Sequence, residues 1–178
     1  MSQNGTLQAA LLEAKTQSGI SLDELSRRSP VLVVFLRHAG CPFTREAISE
    51  LAAQQKSIAI AGTVLVFVHM LEESAAAPLF ELRGMGDVLR ISDPTQKLYQ
   101  AFELRRGSVW QVAGPGTWWR GLKTVLSGNG FGVPAGDILQ LPGAFLLQDG
   151  RIVKAFRHKT SSDRPNYQEL ARCPLSQG

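Results

Sequence analysis

Cysteine is scarce in this chain: only Cys41 and Cys173 among 178 residues. Two are too few for a small fold stapled by disulfides in an oxidising compartment. No uninterrupted apolar stretch approaches the roughly 18 residues that suggest a membrane span. The first residues, MSQNGTLQAALLEAKTQSG, are polar and lack the apolar centre of a secretory signal. Positive charge is in small excess, 19 Lys and Arg against 15 Asp and Glu. It does not gather into a run, which argues against a dedicated nucleic-acid arm. The three histidines, His38, His69 and His158, share no metal-ligand spacing with each other or with the cysteines. These absences set the expectation: a soluble cytoplasmic protein with reduced thiols, no cofactor, no metal, and neither nucleic acid nor membrane as partner.

What is present suits a core-forming globular chain, 44% hydrophobic and 19% charged. Leu7, Leu11, Leu12 and Ala14 recur at helical spacing. Ser21 followed by Glu24 forms a capping-box pattern for a second short helix, SLDELSRR. These elements make up a helical extension over residues 1–29. Val31 to Leu36 is continuously apolar and β-branched, as a strand buried on both faces requires. Phe43, Ala47, Ile48, Leu51 and Ala52 then share one helical face. Thr63 to His69 is a second buried strand. Glu72 to Arg83 reads as a helix ended by glycines, and Val88 to Ile91 as a short strand. Ser92-Asp93-Pro94 starts a helix carrying Leu98, Tyr99 and Phe102. The alternation predicts an α/β fold with a largely parallel core.

Towards the C-terminus the pattern changes. Ala144–Leu147 and Ile152–Phe156 flank Gln148-Asp149-Gly150-Arg151, a strong hairpin signal. A last helix is expected over Pro165 to Arg172. Residues 105–141 are rich in glycine, hold Trp110, Trp118 and Trp119, and follow neither period. They read as an insertion with a helix near Trp118 to Leu126. One domain over residues 1–178 accommodates all of this.

The stretch Leu36-Arg37-His38-Ala39-Gly40-Cys41-Pro42-Phe43-Thr44-Arg45-Glu46 carries the chemistry. It places Cys41 at a helix N-cap and Pro42 at the first helical position, where the missing N–H costs nothing. Unpaired N–H groups and the helix dipole there favour thiolate, the nucleophilic form of cysteine. Thr44 can turn its hydroxyl to the sulfur or to the backbone. Arg37 and Arg45 add positive charge nearby in sequence. His38 is either a packed, backbone-bonded histidine or a proton carrier. The bland alternative for Cys41 is an inert buried thiol.

Strand, cysteine at a helix start, a second strand and helix, then X-Pro into a hairpin: this order resembles the thioredoxin fold. Cys41-Pro42-Phe43-Thr44 stands where thioredoxins carry a two-cysteine motif, with threonine in the second position. Leu141-Pro142 stands where that fold keeps a cis-proline beside the active site. Over Leu32 to Lys159, including GDILQLPGAFLLQDGRIVKAFRHK, the chain is similar to the peroxiredoxin-like, selenoprotein-L-related branch of the alkyl hydroperoxide reductase/thiol-specific antioxidant (AhpC/TSA) superfamily. The resemblance implies a thioredoxin-like α/β fold, a central mixed sheet flanked by helices, with the Gly/Trp-rich insertion before the C-terminal hairpin. It implies an antioxidant oxidoreductase whose catalytic residues are Cys41, Thr44 and Pro142, with His38, Arg37 and Pro42 as accessory candidates. Cys173 is the candidate resolving thiol; the alternative is a cysteine without a partner. The implied substrates are a peroxide or a disulfide. The implied reductant is an external thiol such as glutathione or a thioredoxin-like protein, and oligomers are open to it.

The chain also departs from the peroxidase pattern. Val34, His38 and Pro142 hold the positions where typical peroxiredoxins have proline, threonine and arginine. The donors that meet a peroxide are thus missing from their usual places. Weak peroxide reduction is expected, with disulfide exchange through Cys41 preferred. The open alternatives are a redox-sensing or binding module and a scaffold without thiol chemistry.

Overall fold

Strand β1 (Val31–Phe35) is buried along its whole length and forms the centre of a five-stranded sheet. The computed structural model describes residues 3–108, 136–160 and 163–172. Along the chain, α1 (Gln3–Glu13) and α2 (Leu22–Arg28) precede β1. There follow α3 (Pro42–Ile60), β2 (Val64–His69), α4 (Glu73–Glu81), β3 (Leu89–Ser92) and α5 (Lys97–Ala101). The hairpin β4 (Gly143–Gln148) and β5 (Arg151–Arg157) and helix α6 (Tyr167–Ala171) complete the described elements. The strand order is β3-β2-β1-β4-β5. β1 runs parallel to β2 and antiparallel to β4; β2 and β3 are parallel, β4 and β5 antiparallel. This is a mixed sheet flanked by helices, the thioredoxin-like arrangement.

Alternation along β1 assigns each side chain to a face. Val31, Val33 and Phe35 pack with Leu11, Leu22, Leu98, Tyr99 and Phe102 beneath α1, α2 and α5. Leu32, Val34 and Leu36 pack with Ile48, Leu51, Phe80 and Tyr167 beneath α3, α4 and α6. Leu12, one of the four apolar residues expected to bury α1, is exposed instead. Its neighbour Leu11 occupies the core position.

Local signals read from the sequence have visible causes. The Ser21 side chain accepts from Glu24 N–H at 3.2 Å and caps α2. Asp149 and Gly150 turn the hairpin with φ of 51° and 69°, which suits an Asp-Gly two-residue turn. The helix expected from Ser92-Asp93-Pro94 starts later, at Lys97. Asp93 stays outside as an acceptor for the N–H groups of Lys97, Leu98 and Tyr99. The ends of the expected insertion meet: Arg106 pairs with Gln140, and Gly107 N–H donates to the Leu139 carbonyl at 2.7 Å. Trp110, Trp118, Trp119, the helix placed near them, and Cys173 lie outside the described residues.

On the α3–α4 face Arg90 of β3 is buried but fully engaged. It forms an ion pair with Glu73 at 2.7 Å, donates to the Gly86 carbonyl at 2.7 Å, and lies over the Phe80 ring. β3 is thereby tied to the start of α4 and the loop after it.

Candidate active site

β1 ends at Phe35, and the chain turns through Leu36–Gly40 before α3 begins. Cys41 is the N-cap of α3, with extended φ and ψ, and Pro42 opens the helix, as the sequence predicts. The His38 carbonyl holds the turn. It accepts from Cys41 N–H at 3.0 Å and from the Thr44 hydroxyl at 3.2 Å. The Thr44 hydroxyl therefore goes to the loop backbone and not to the sulfur. The Cys41 side chain does not cap the helix either. The Thr44 N–H, which a cap side chain would accept, bonds the Cys41 carbonyl at 3.1 Å.

The sulfur faces a guanidinium instead. Arg37 Nη1 donates to Cys41 Sγ at 2.8 Å, and Nη2 donates to the Ile138 carbonyl at 2.7 Å. Arg37 is 5% exposed and Cys41 2% exposed, so the contact is shut off from bulk water. Electrostatic attraction is stronger there than at a surface. Among the described residues no carboxylate forms an ion pair with Arg37. Arg37 thus brings a guanidinium to the sulfur from the turn after β1, four residues before the cysteine. The sequence named Arg37 as a nearby cation and an accessory candidate but not its direction; its inward turn depends on the Ile138 carbonyl, about a hundred residues away.

Pro142 requires a correction. No cis peptide bond occurs among the described residues, so Leu141–Pro142 is trans. Its surroundings explain the extended entry. Leu141 N–H donates to the Arg105 carbonyl at 3.2 Å, and the Leu141 carbonyl accepts from the Gln140 side chain at 3.1 Å. The Pro142 carbonyl accepts from His158 N–H at 3.3 Å. Pro142 is nevertheless near the site, because Gly143 pairs with Phe35 in the β1–β4 ladder. A side chain at Gly143 would force its neighbours to shift: an added Cβ would sit 2.6 Å from Leu104 Cδ2 and 2.9 Å from the Phe145 ring.

Two histidines flank this arginine. Burial, with Arg37 adding its repulsion, pushes His38 down to about 4, against a smaller pull from Asp137. Burial also pushes His158 down to about 4. Asp163 and the Thr160 backbone oppose that shift, whereas Arg37 assists it. Both imidazoles are therefore neutral at pH 7. His158 directly follows β5, and no spacing along the chain connects it to Cys41. Register does so: Phe35, Gly143 and Arg157 lie side by side across β1, β4 and β5, and the next residue, His158, donates its N–H to the Pro142 carbonyl.

A model of a known family, described as AhpC/TSA antioxidant enzyme, matches residues 50–160. The chain belongs to that family. The match begins beyond Cys41, so the cysteine site rests on its own geometry. No curated protein matches the sequence. Among solved structures, the bacterioferritin comigratory protein of Xanthomonas campestris is 16% identical, with TM-score 0.61 over 85% of this chain and 84% of that one. Peroxidoxin BcpB of Mycobacterium tuberculosis is 18% identical, with TM-score 0.58 over 89% and 87%. Reduced Prx3 of Vibrio vulnificus, solved with H₂O₂, is 14% identical, with TM-score 0.62 over 89% and 90%. At these identities the likeness establishes the shared fold. No helix among the described residues is long and apolar enough to cross a membrane.

Proposed function

We propose that this protein is a thiol-dependent peroxide reductase in which Cys41 is the attacking group. The observation that carries the reading is the buried Arg37 donor on Cys41 Sγ at 2.8 Å. A guanidinium keeps its charge at any working pH and can only donate. It suits a thiolate before attack and the oxygen that leaves after it.

In the first step the Cys41 thiolate attacks one oxygen of a hydroperoxide. The S–O bond forms as the O–O bond breaks, sulfur is oxidised by two electrons, and the leaving oxygen takes a proton to depart as water or an alcohol. In the second step an external thiol, glutathione or a thioredoxin-like protein, attacks the sulfenic sulfur and releases water. A further thiol then resolves the mixed disulfide. Cys173 is the alternative resolving group within the chain. Thr44 and Pro42 set the turn that holds Cys41, and Pro142 shares a cavity wall with Arg37.

Burial reverses the order of substrates that the sequence suggested. Cys41 is only 2% exposed, which favours a small oxidant over a protein disulfide, whose approach needs the loop to open. Peroxide reduction is therefore preferred to disulfide exchange.

The test is stopped-flow oxidation of the reduced Cys173→Ser protein by hydrogen peroxide, followed by mass spectrometry with and without glutathione. Oxidation confined to Cys41, with a glutathione adduct forming afterwards, is expected. Oxidation no faster than that of a free thiol, or unchanged in Cys41→Ser, would sink the reading.

A further inference from the structure

The last described residues are tied down at the end of the sheet opposite Cys41. Helix α6 starts against the cavity beside Arg37, with Tyr167 in its wall. It runs along α3 away from the cysteine, and Gln168 donates to the Ser57 hydroxyl in the last turn of α3 at 3.4 Å. Two side chains then fix its end. The Thr63 hydroxyl donates to the Ala171 carbonyl at 2.7 Å. Lys154 Nζ donates to the carbonyls of Glu169 and Arg172 at 2.9 and 2.6 Å. Thr63 directly precedes Val64, which pairs with Val31, and Lys154 pairs with Leu146, which pairs with Leu32. Both anchors therefore stand where β1 begins, whereas Cys41 lies beyond its other end.

Helix α3 gives the scale of the separation. Thr63 N–H donates to the Ile58 carbonyl at 3.2 Å, so the Ala171 anchor adjoins Ile58. At roughly 1.5 Å per residue, Ile58 stands about 25 Å along the helix from Cys41. A disulfide needs its two Cα atoms within about 7 Å. Cys173 follows Arg172 directly, and one peptide unit reaches only about 3.8 Å. A bridge from Cys173 to Cys41 of the same chain therefore requires α6 to leave the sheet. It would break both anchors, expose the buried Tyr167 and Ala171, and take Tyr167 out of the wall beside Arg37.

We infer that Cys41 is a one-cysteine site: the thiol that reduces its sulfenic acid belongs to a separate small molecule of the glutathione class, and Cys173 takes no part. This rests on the reading of Cys41 as the peroxide-attacking thiol. In that step the incoming sulfur bonds to Cys41 Sγ, the S–O bond breaks, and the hydroxyl leaves as water with the proton of the thiol. A second thiol molecule then breaks the mixed disulfide. Two external thiols are oxidised to one disulfide, and Cys41 is returned reduced.

The experiment oxidises the full-length protein with hydrogen peroxide, alkylates free thiols with iodoacetamide and maps the peptides by mass spectrometry without reduction. Cys173 should be recovered alkylated, and Cys41 as a sulfenic acid that dimedone traps. Glutathione should then add to Cys41 at the same rate in the unaltered protein and in Cys173→Ser. A Cys41–Cys173 disulfide within one chain, or a covalent dimer through the same pair, overturns the inference, as does a loss of glutathione-driven turnover in Cys173→Ser. A second arm needs no peroxide chemistry, so it fails independently of the Cys41 oxidation test. Diamide takes two electrons from any pair of thiols that can meet. It should join Cys41 to Cys173 in urea and leave them unjoined in the folded protein; a bridge formed equally in both overturns the inference.

Discussion

Arg37 and Arg90 are buried to nearly the same degree, 5% and 6% exposed, yet they are solved differently. Arg90 has a carboxylate, Glu73, at 2.7 Å, a carbonyl at the same distance and an aromatic ring beneath it. Its charge is answered within the fold, and it serves to join β3 to α4. Arg37 has a carbonyl and a sulfur, an unpartnered Nε, and no carboxylate among the described residues. A buried cation is costly unless paired. One that the fold leaves unpaired, in contact with a cysteine, retains its capacity for an anion. The difference separates an arginine kept for structure from one kept for chemistry.

Replacing each arginine by methionine should break the comparison in opposite ways. Arg37→Met removes a charge-bearing donor from the reacting sulfur, so the peroxide rate of Cys41 should fall by about 10²-fold, the usual scale for such a donor. Thermal stability should change little, because no carboxylate loses its partner. Arg90→Met leaves Glu73 without its cation and opens the tie to the Gly86 carbonyl. It should cost about 2 kcal/mol, lowering Tm by roughly 4–8 °C, with the peroxide rate kept within about twofold. Thermal melts and stopped-flow traces on both variants decide the matter. Equal losses of rate and stability in both would erase the distinction.

Acid should expose the histidines around Arg37 more gently. His38 and His158 are held near 4, and burial lowers His69 as well. The unfolded chain binds protons at about 6.5. Between those values the unfolded state carries more protons than the folded one, so stability rises with pH across the window and is lost as pH falls from about 6.5 to about 4. Melting temperature measured against pH should decline in that window, and His158→Gln should flatten part of the slope. Asp23 and Asp163, lowered by their hydrogen-bonding partners against the opposing effect of burial, extend the loss to lower pH.

Thr44→Val should give the smallest effect, about 1 kcal/mol of stability and a few-fold loss of rate. Its hydroxyl supports the His38 carbonyl and does not touch the sulfur. A loss as large as that of Arg37→Met would place Thr44 at the reacting atoms.

Elements whose signals are local were legible in the sequence. The β1 and β2 runs, the Ser21 cap, the Asp-Gly hairpin and the Cys-Pro helix start each depend on neighbours in the chain. The site was legible only as far as Cys41 and its immediate flanks. Arg37 was named but its direction was not, because Ile138 supplies the carbonyl that turns it inward. His158 reaches the site only through the β4–β5 hairpin, and the segment around Pro142 is held by hydrogen bonds to Arg105, Gln140 and His158. These are contacts between distant positions, which spacing along one chain does not encode.

The most direct measurement compares two reactions of Cys41 in the Cys173→Ser background, with and without Arg37→Met. Hydrogen peroxide needs a donor for its leaving oxygen, whereas iodoacetamide releases iodide and does not. Arg37→Met should therefore slow oxidation by hydrogen peroxide at least tenfold more than it slows alkylation by iodoacetamide, taking about 10²-fold as the scale of one donor. Equal slowing of the two reactions would show that Arg37 only prepares the sulfur, and an unchanged peroxide rate would contradict the account outright.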